Sequence, residues 1–453
     1  MEKNLTTGSV WKNVVSFSLP YLLSYFLQTL YGMADLFITG QFNTTDSITA
    51  VSIGSQVMHM LTVMIVGLAM GATVNIAQAV GAQSSDRAAK TIGNTVSLFM
   101  VVSLVITALL VALVKPIVAV MSTPAQAVAG TVQYLTVCFI GIPFITAYNI
   151  ISAIFRGLGD SKSPMYFVAV ACAANIILDY LLIGGFGLGP LGAALGTTLS
   201  QTISVILALV VILRQKAGIP IKKDCFRPRK AVLRPILNIG VPVALQDGFI
   251  QISFILITII ANRRGLNDAA AVGIVEKVIS FLFLVPSSML STVSALSAQN
   301  IGAGRHDRAA LTLRYAVMLC VGFGAVVAII IQFAAEPVVA LFDQNAEVVR
   351  AGGQYLRGYI WDCVFAGVHF SFSGYFCAYG RSGISFLHNA LSIVLVRIPG
   401  AYFMSKLFLN TLLPMGLAAA GGSFLSVVVC IAAFLWLRRQ HPEWSEGNEL
   451  ERV

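Results

Sequence analysis

Residues 77–90 read AQAVGAQSSDRAAK, and residues 298–311 read AQNIGAGRHDRAAL. The two stretches lie 221 residues apart. The same offset pairs Ala50-Val51 with Ala271-Val272, Tyr134-Leu135 with Tyr355-Leu356, and Phe155 with Phe376. Further on, GPLGAALG at 189–196 resembles LPMGLAAA at 413–420, with the offset grown to 224. Self-similarity of this kind means that the chain is one structural unit written twice.

The repeated unit is built for lipid. Of the 453 residues, 57% are hydrophobic and only 11% are charged, and the mean hydropathy is +0.85. Apolar runs long enough to cross a bilayer, roughly 20 residues each, recur from end to end. Twelve are read, at about 14–39, 49–76, 92–121, 127–154, 163–185, 190–214, 237–262, 270–298, 312–341, 347–378, 384–408 and 414–437. Lipid offers backbone groups no partners, so these runs must be helices. The alternation expected of a membrane barrel is absent. The predicted fold is an all-α membrane protein of twelve transmembrane helices in two pseudo-symmetric six-helix bundles. The expected divisions are a first bundle at 1–213, a cytoplasmic basic connector at 214–236, a second bundle at 237–440 and a cytoplasmic tail at 441–453.

Six spans per half give both halves the same orientation, so the repeats are parallel, related by an axis along the membrane normal. Basic residues set the topology. One side collects Lys3, Lys12, Arg87, Lys90, Arg156, Lys162, the run from Arg214 to Arg234, Arg305, Arg308, Arg314, Arg381, Arg438 and Arg439. The other holds little beyond Lys115, Arg263, Arg264, Arg350 and Lys406. The positive-inside rule places both termini in the cytoplasm of a cell membrane. The net charge of +10 is mostly this topological signal; scattered over short loops, it does not describe a nucleic-acid surface.

The first span is too long for a cleavable signal peptide and contains Pro20 and Asp35. Six of the seven cysteines lie inside spans, with only Cys225 in a loop, and no spacing suggests a disulfide framework or a structural metal site. The run GFGLGPLG contains a GxGxxG spacing at Gly187, Gly189 and Gly192. It is an external hairpin between two spans, without the strand that a dinucleotide site requires. No P-loop and no catalytic constellation is read, so the chain is not expected to be an enzyme, and no cofactor is expected. Small residues four apart in GLAMG (67–71) and GAALG (192–196) favour close helix packing.

Ionisable residues inside spans are functional candidates by default. Asp35 lies five residues before Gly40 at the outer end of the first span. Asp179 lies five before Gly184 in the fifth span, with Asn175 one turn deeper on the same face. Thr197 and Thr198 follow Gly192 by five and six residues on the inward-running sixth span. At about 1.5 Å per residue, Asp35, Asp179 and Thr197 share a depth of ~7–8 Å below the outer end. Gln28 and Tyr31 face inward at helical spacing from Asp35. Two carboxylates in one low-dielectric pocket cannot both ionise cheaply, so such a pair can hold and release a proton, as a coupling site must.

With these residues in view, FSLPYLLSYFLQTLYGMADLFITGQF at the start, FRGLGDSKSPMY at 155–166 and NIILDYLLIGGFGLGPLGAALGTTLSQ at 175–201 resemble the multidrug and toxic compound extrusion (MATE) family over almost the whole chain. The resemblance implies export of organic, often cationic, amphipathic compounds by rocker-type alternating access, driven by inward flow of protons or sodium. It further implies, for the family's DinF-like branch, that Asp35, Asn175, Asp179 and Thr197 form the cation-coupling pocket, with transient sodium at Asp35, Asn175 and Asp179 as one form of coupling. The Glu and Asp that NorM-like members carry in the second half fall here on Ile250 and Ala366, which tilts the expectation toward the proton.

The second half has its own charges. Asp247, Glu276 and Asp362 are secondary candidates, while Lys277, Arg357 and Arg397 are read as structural ion-pair partners. His59, His369 and His388 are each isolated in sequence and read as neutral, hydrogen-bonded histidines. Met33, Met58, Met60, Met64, Tyr31, Phe37 and Phe144 can line a cavity or simply face lipid and neighbouring helices. The paired DRAA segments at 86–89 and 307–310 are expected to staple loop to helix end. Expected partners are small amphipathic or cationic molecules and the bilayer, with no nucleic acid, and a monomer is expected. A lipid or lipid-linked saccharide flippase is the alternative; it would need a cleft lined by basic residues, and the first-half pocket reads as acidic.

Overall fold

The computed structural model describes residues 4–214 and 222–442. Lys3, part of the expected connector (215–221) and most of the expected tail (from 443 on) lie outside the described residues.

The first half comprises α1 (Val10–Phe42), α2 (Thr45–Gly81), α3 (Ser85–Ala112, followed by Val114–Val120), α4 (Val128–Ile140 and Ile142–Gly157), α5 (Lys162–Asp179, continued by Tyr180–Gly185) and α6 (Gly189–Arg214). A short turn of helix at Lys223–Phe226 sits in the connector. The second half repeats the order with α7 (Lys230–Asn262), α8 (Leu266–Leu282 and Leu284–Gly302), α9 (His306–Ala340), α10 (Ala346–Tyr359 and Asp362–Ala378), α11 (Ser382–Ser392, Ile393–Arg397 and Ile398–Leu407) and α12 (Leu413–Gln440). Among the described residues there is no strand. Among the described residues nine continuous spans are long and apolar enough to cross a membrane, and α4, bent by 49° at Gly141, makes ten. α1 and α10 complete the twelve; they are the spans that carry Gln28, Tyr31 and Asp35, and Arg357 and Asp362, inside their length.

Turn chemistry starts and stops the helices where the sequence supplies it. Asp160 accepts hydrogen bonds from the N–H groups of Lys162 (3.0 Å) and Ser163 (3.2 Å), satisfying first-turn donors of α5. Asn345 does the same for Glu347 at the start of α10. Gly187 and Gly189 adopt left-handed backbone, φ +66° and +54°, in the α5–α6 turn, conformations that cost other residues more.

The duplication is visible in individual hydrogen bonds. Ser55 Oγ and Tyr134 Oη are 3.1 Å apart; 221 residues on, Tyr355 Oη donates to Glu276 Oε1 at 3.2 Å. Thr73 donates to the Ala153 carbonyl at 3.1 Å, and its counterpart Ser294 donates to the Gly374 carbonyl at 3.3 Å. Thr91 and Thr312 each close on a carbonyl four residues back, Arg87 and Arg308.

The contacts divide the chain into two units that do not follow the expected borders at the helix starts. One centres on Leu19–Gly240; the other joins Leu5–Ser18 to the chain from Val241 onward. In the second unit, the first turns of α1 are held by Trp11 edge-on to Tyr315 (5.5 Å) and by Arg308, which donates to the Gly8 and Thr7 carbonyls at 2.9 and 3.2 Å. The arginine of the second DRAA segment thus clamps the N-terminal segment, while Asp86 in the first pairs with Lys90 along its own helix. In the first unit, the first turns of α7 press so close on α2 that a Cβ on Gly71 would lie 2.0 Å from the Ile236 carbonyl oxygen. Each changeover falls just before a proline, Pro20 in α1 and Pro242 in α7. Proline removes a helical N–H and loosens the helix there.

Each unit has its own apolar core. In the first it gathers Ile38, Val51, Leu135, Phe139, Ile142 and Ala193; in the second, Ile257, Val272, Val275, Leu356, Ile360 and Met415.

Candidate functional site

In the first unit, α1, α5 and α6 bring together four of the predicted residues. Asp35 is 2% exposed, and Asn175 and Asp179 are fully buried. Thr197, half-buried on α6, donates to Asp35 Oδ2 at 3.1 Å. Asp179 and Asn175 are the other side chains facing the Asp35 carboxyl. The α5 pair can approach because α6 carries Gly196: a Cβ there would stand 2.1 Å from Asp179 Oδ1 and 3.6 Å from Asn175 Nδ2. Directly after Asp179 the helix widens over Tyr180–Gly185, the kind of local irregularity common at functional sites.

The polar atoms of this pocket are under-satisfied. Asp35 Oδ1, both Asp179 oxygens and both Asn175 amide atoms are buried without a hydrogen-bond partner among the described residues. Buried groups of this kind carry a desolvation cost unless something pairs with them. Two carboxyls, an amide oxygen and a hydroxyl form an oxygen donor set. It suits a proton shared between the acids, and it equally suits a hard monovalent cation.

Tyr31 stands beside Asp35, its hydroxyl accepting from Gln201 Nε2 at 3.3 Å on α6 and facing Tyr148 on α4. Gln28 sits deeper, against Tyr148 rather than against the acids. Met33, Phe37 and Phe144 are exposed on the surface of the unit, and Met58 is in its core.

The second unit gathers a different set. Arg397, 6% exposed, reaches Asp362 Oδ2 at 3.3 Å and bonds Tyr359 Oη; its guanidinium lies 5.3 Å from the Phe254 ring centroid. Glu276 takes the Tyr355 hydroxyl described above and feels the Arg397 charge. Arg397 is therefore ion-paired as expected, and its partner is Asp362, which the sequence puts among the binding candidates. Arg357 pairs elsewhere, with Glu336 at 3.2 Å. Lys277 departs from expectation: it is exposed and makes no ion pair among the described residues. Asp247 stands apart on α7, near Cys377. Ala366 is fully buried.

The structure gives His388 the hydrogen bond expected of it and adds a neighbouring ring. His369 and His388, isolated along the chain, meet with ring centroids 5.4 Å apart, and His388 Nε2 is 2.8 Å from Ser373 Oγ. Helix packing between α10 and α11 creates a neighbour that spacing along the chain does not show.

Comparison with known proteins gives these sites a family. The MatE family model matches residues 20–181 and 242–403, one stretch in each half. The chain belongs to the MatE family. It is 28% identical over 443 residues to the probable multidrug resistance protein YoeA of Bacillus subtilis, covering 95% of each chain. It is 25% identical over 405 residues to the multidrug export protein MepA of Staphylococcus aureus, covering 88% of each. Its fold matches crystal structures of MATE in the straight conformation (22% identity, TM-score 0.89, 97% of this chain and 98% of that one) and in the bent conformation (22%, 0.88, 97% of both). A MatE chain with these spans is an integral membrane protein.

Around the pocket of this MatE protein stand residues that polarity alone does not single out. Tyr134 and Cys138 on α4 flank Asp35, and a Cβ on Gly54 would meet the Tyr134 ring at 2.2 Å. The one available signal for Tyr134 is its recurrence at Tyr355 in the repeat.

Proposed function

We propose that this MatE protein is a cation-coupled secondary antiporter, with the proton favoured over sodium, that exports organic, often cationic, amphipathic compounds. The observation that supports the reading is the Asp35–Thr197 contact beside buried Asp179. It concentrates two acids and, among the described residues, no base in one desolvated pocket. Such a pocket binds one cation at a time: a proton, or a cationic substrate attracted by the ionised pair. Entry from outside is driven by the inside-negative potential, worth about 2.3 kcal/mol per charge per 100 mV.

In this reading the two six-helix halves, 1–213 and 237–440, alternate access about the site, both termini are cytoplasmic, and the working unit is a monomer. Coupling requires only that proton and substrate differ in affinity for the two states. Protonation of the Asp35–Asp179 pair removes the charge that holds the substrate, which leaves outward. The relatives named as multidrug proteins support an amphipathic small-molecule cargo.

The test uses inverted vesicles carrying a preformed proton gradient. A panel of toxic organic cations should dissipate it, and Asp35→Asn should abolish the effect while the protein remains folded and monodisperse. Undiminished coupling in that variant sinks the assignment. Replacing sodium by choline should leave transport intact; loss of transport would transfer the coupling role to sodium.

A further inference from the structure

The outer-side end of the second unit, opposite the DRAA segment, carries a feature outside the ion pocket. Between α7 and α11 lies a cavity of about 350 Å³, lined by Leu256, Ile259, Ile260, Ile398, Pro399 and Phe403. That volume is within the range of ordinary ligand sites, about 300–1,000 Å³. Arg263 and Tyr402 also border the cavity. Lys406 lies 4.5 Å from the Tyr402 ring centroid, and the Tyr402 hydroxyl lies in the field of both Lys406 and Arg263.

Three observations say what fits there. First, the outer side is poor in basic residues, holding five in the sequence reading, and two of those five converge on this one mouth. Second, neither Arg263 nor Lys406 has a carboxylate partner among the described residues, whereas neighbouring Arg264 is tied to Asp268 at 2.7 Å and to the Leu409 carbonyl at 2.9 Å. Third, the repeat fills the same corner in the first unit. There Phe42 packs edge-on to Tyr180 (6.1 Å), its ring 3.0 Å from a Cβ on Gly184, and Tyr180 Oη donates to Gln41 Oε1 at 3.4 Å. The second unit has cations and an open groove where the first has an aromatic plug.

We propose that this groove is a binding site for an anionic glycerophospholipid. One acyl chain lies along Leu256, Ile260 and Ile398, and the phosphate sits between Arg263 and Lys406. The apolar wall on α7 runs over 256–260, five residues or about 7 Å of helix, in the direction of a lipid chain. Juxtamembrane Arg and Lys attract anionic headgroups over zwitterionic ones, and the Tyr402 ring suits the interfacial level. The site is independent of the transport reading, since none of its residues belongs to the acidic pocket.

Native mass spectrometry of the detergent-purified full chain tests it, with phosphatidylglycerol and phosphatidylcholine of identical chains added in equal amounts. One phosphatidylglycerol should be retained in roughly tenfold preference. Arg263→Gln/Lys406→Gln should keep a bound lipid but lose the preference. Ile259→Trp, which fills the groove, should lose retention of both lipids; if that variant is not monodisperse, Ile398→Trp replaces it. Lys115→Gln, an outer-side cation in the other half, should behave as the parent. Dihexanoyl-phosphatidylglycerol, with the headgroup but short chains, should compete poorly. Equal retention of the two lipids by the parent overturns the proposal. So does an unchanged preference in the double variant, an unchanged load with the groove filled, a lost preference in Lys115→Gln, or one-for-one displacement by the short-chain lipid.

Discussion

The two halves share a frame and solve the burial of charge in opposite ways. Ser55 bonds Tyr134 in the first half, and at the matched positions Glu276 bonds Tyr355 in the second. Gly141 in the first is matched by Asp362 in the second. The second half thus gained two acids where the first has a hydroxyl and a glycine. It also gained Arg397, which touches one of them and neighbours the other. The first half keeps its buried acids on α1 and α5, with a threonine and an amide beside them and, among the described residues, no basic side chain. A fixed internal cation makes a buried acid structural. On the proposed reading its absence leaves the acid free for a mobile one, so the same duplicated backbone would carry one pocket for exchange and one for holding.

The largest effect expected from this contrast is on coupling. Asp179→Asn should bring substrate-driven dissipation of the proton gradient to background, while Glu276→Gln keeps most of the parent rate. Equal loss in both would erase the distinction between the halves.

Stability should show the reverse. Asp362→Leu leaves Arg397 buried without its carboxylate, at a cost of about 3–5 kcal/mol. Thermal unfolding in detergent would report it, and adding Arg397→Met should recover most of the loss. Asp179→Asn, which removes no buried partner's countercharge, should leave the melting temperature unchanged or higher.

Gly196 allows a sharper cut. Its matched position in the second half is already an alanine, Ala420. Gly196→Ala must displace the Asp179 carboxyl, and misplacement of about 1 Å can cost about 100-fold in rate. Transport measured at saturating substrate should fall accordingly, with the protein still folded. A silent Gly196→Ala would mean that the carboxyl's position is not critical.

The smallest effect belongs to Thr197→Val. One lost hydrogen bond to a charged group is worth about 1.5–3 kcal/mol, the smallest loss among these variants because both acids stay in place. A severalfold shift in the pH dependence of efflux, with maximal rate retained, is the outcome to look for.

Much of the site was legible because it rests on periodicity. Counting residues from the helix ends placed Asp35, Asp179 and Thr197 at one depth, and four-residue spacing put Asn175 on the face of Asp179. Thr197 and Asp35, 162 residues apart, do meet, through one hydrogen bond. Counting fails where neighbours come from lateral packing. It could not pair His369 with His388, or show that Lys277 turns outward, or separate Gln28 from the acids. Nor could it see that α1 changes unit at Ser18–Leu19 beside Pro20, because a helix reads the same on both sides of such a border.

The chain's own letters determined that the protein lives in lipid, that it is one six-helix design used twice, and which acids lie buried at matched depth. These follow from composition and periodicity, which a helix converts directly into depth and face. Only the tertiary structure decided which of the buried acids have a cation beside them and which groove is open. Those properties depend on side chains brought together from distant helices. Asp362 finds Arg397, 35 residues away, and Asp179 finds Gly196. The duplication predicted symmetry; substitutions at matched positions broke it, and packing shows what each half made of them.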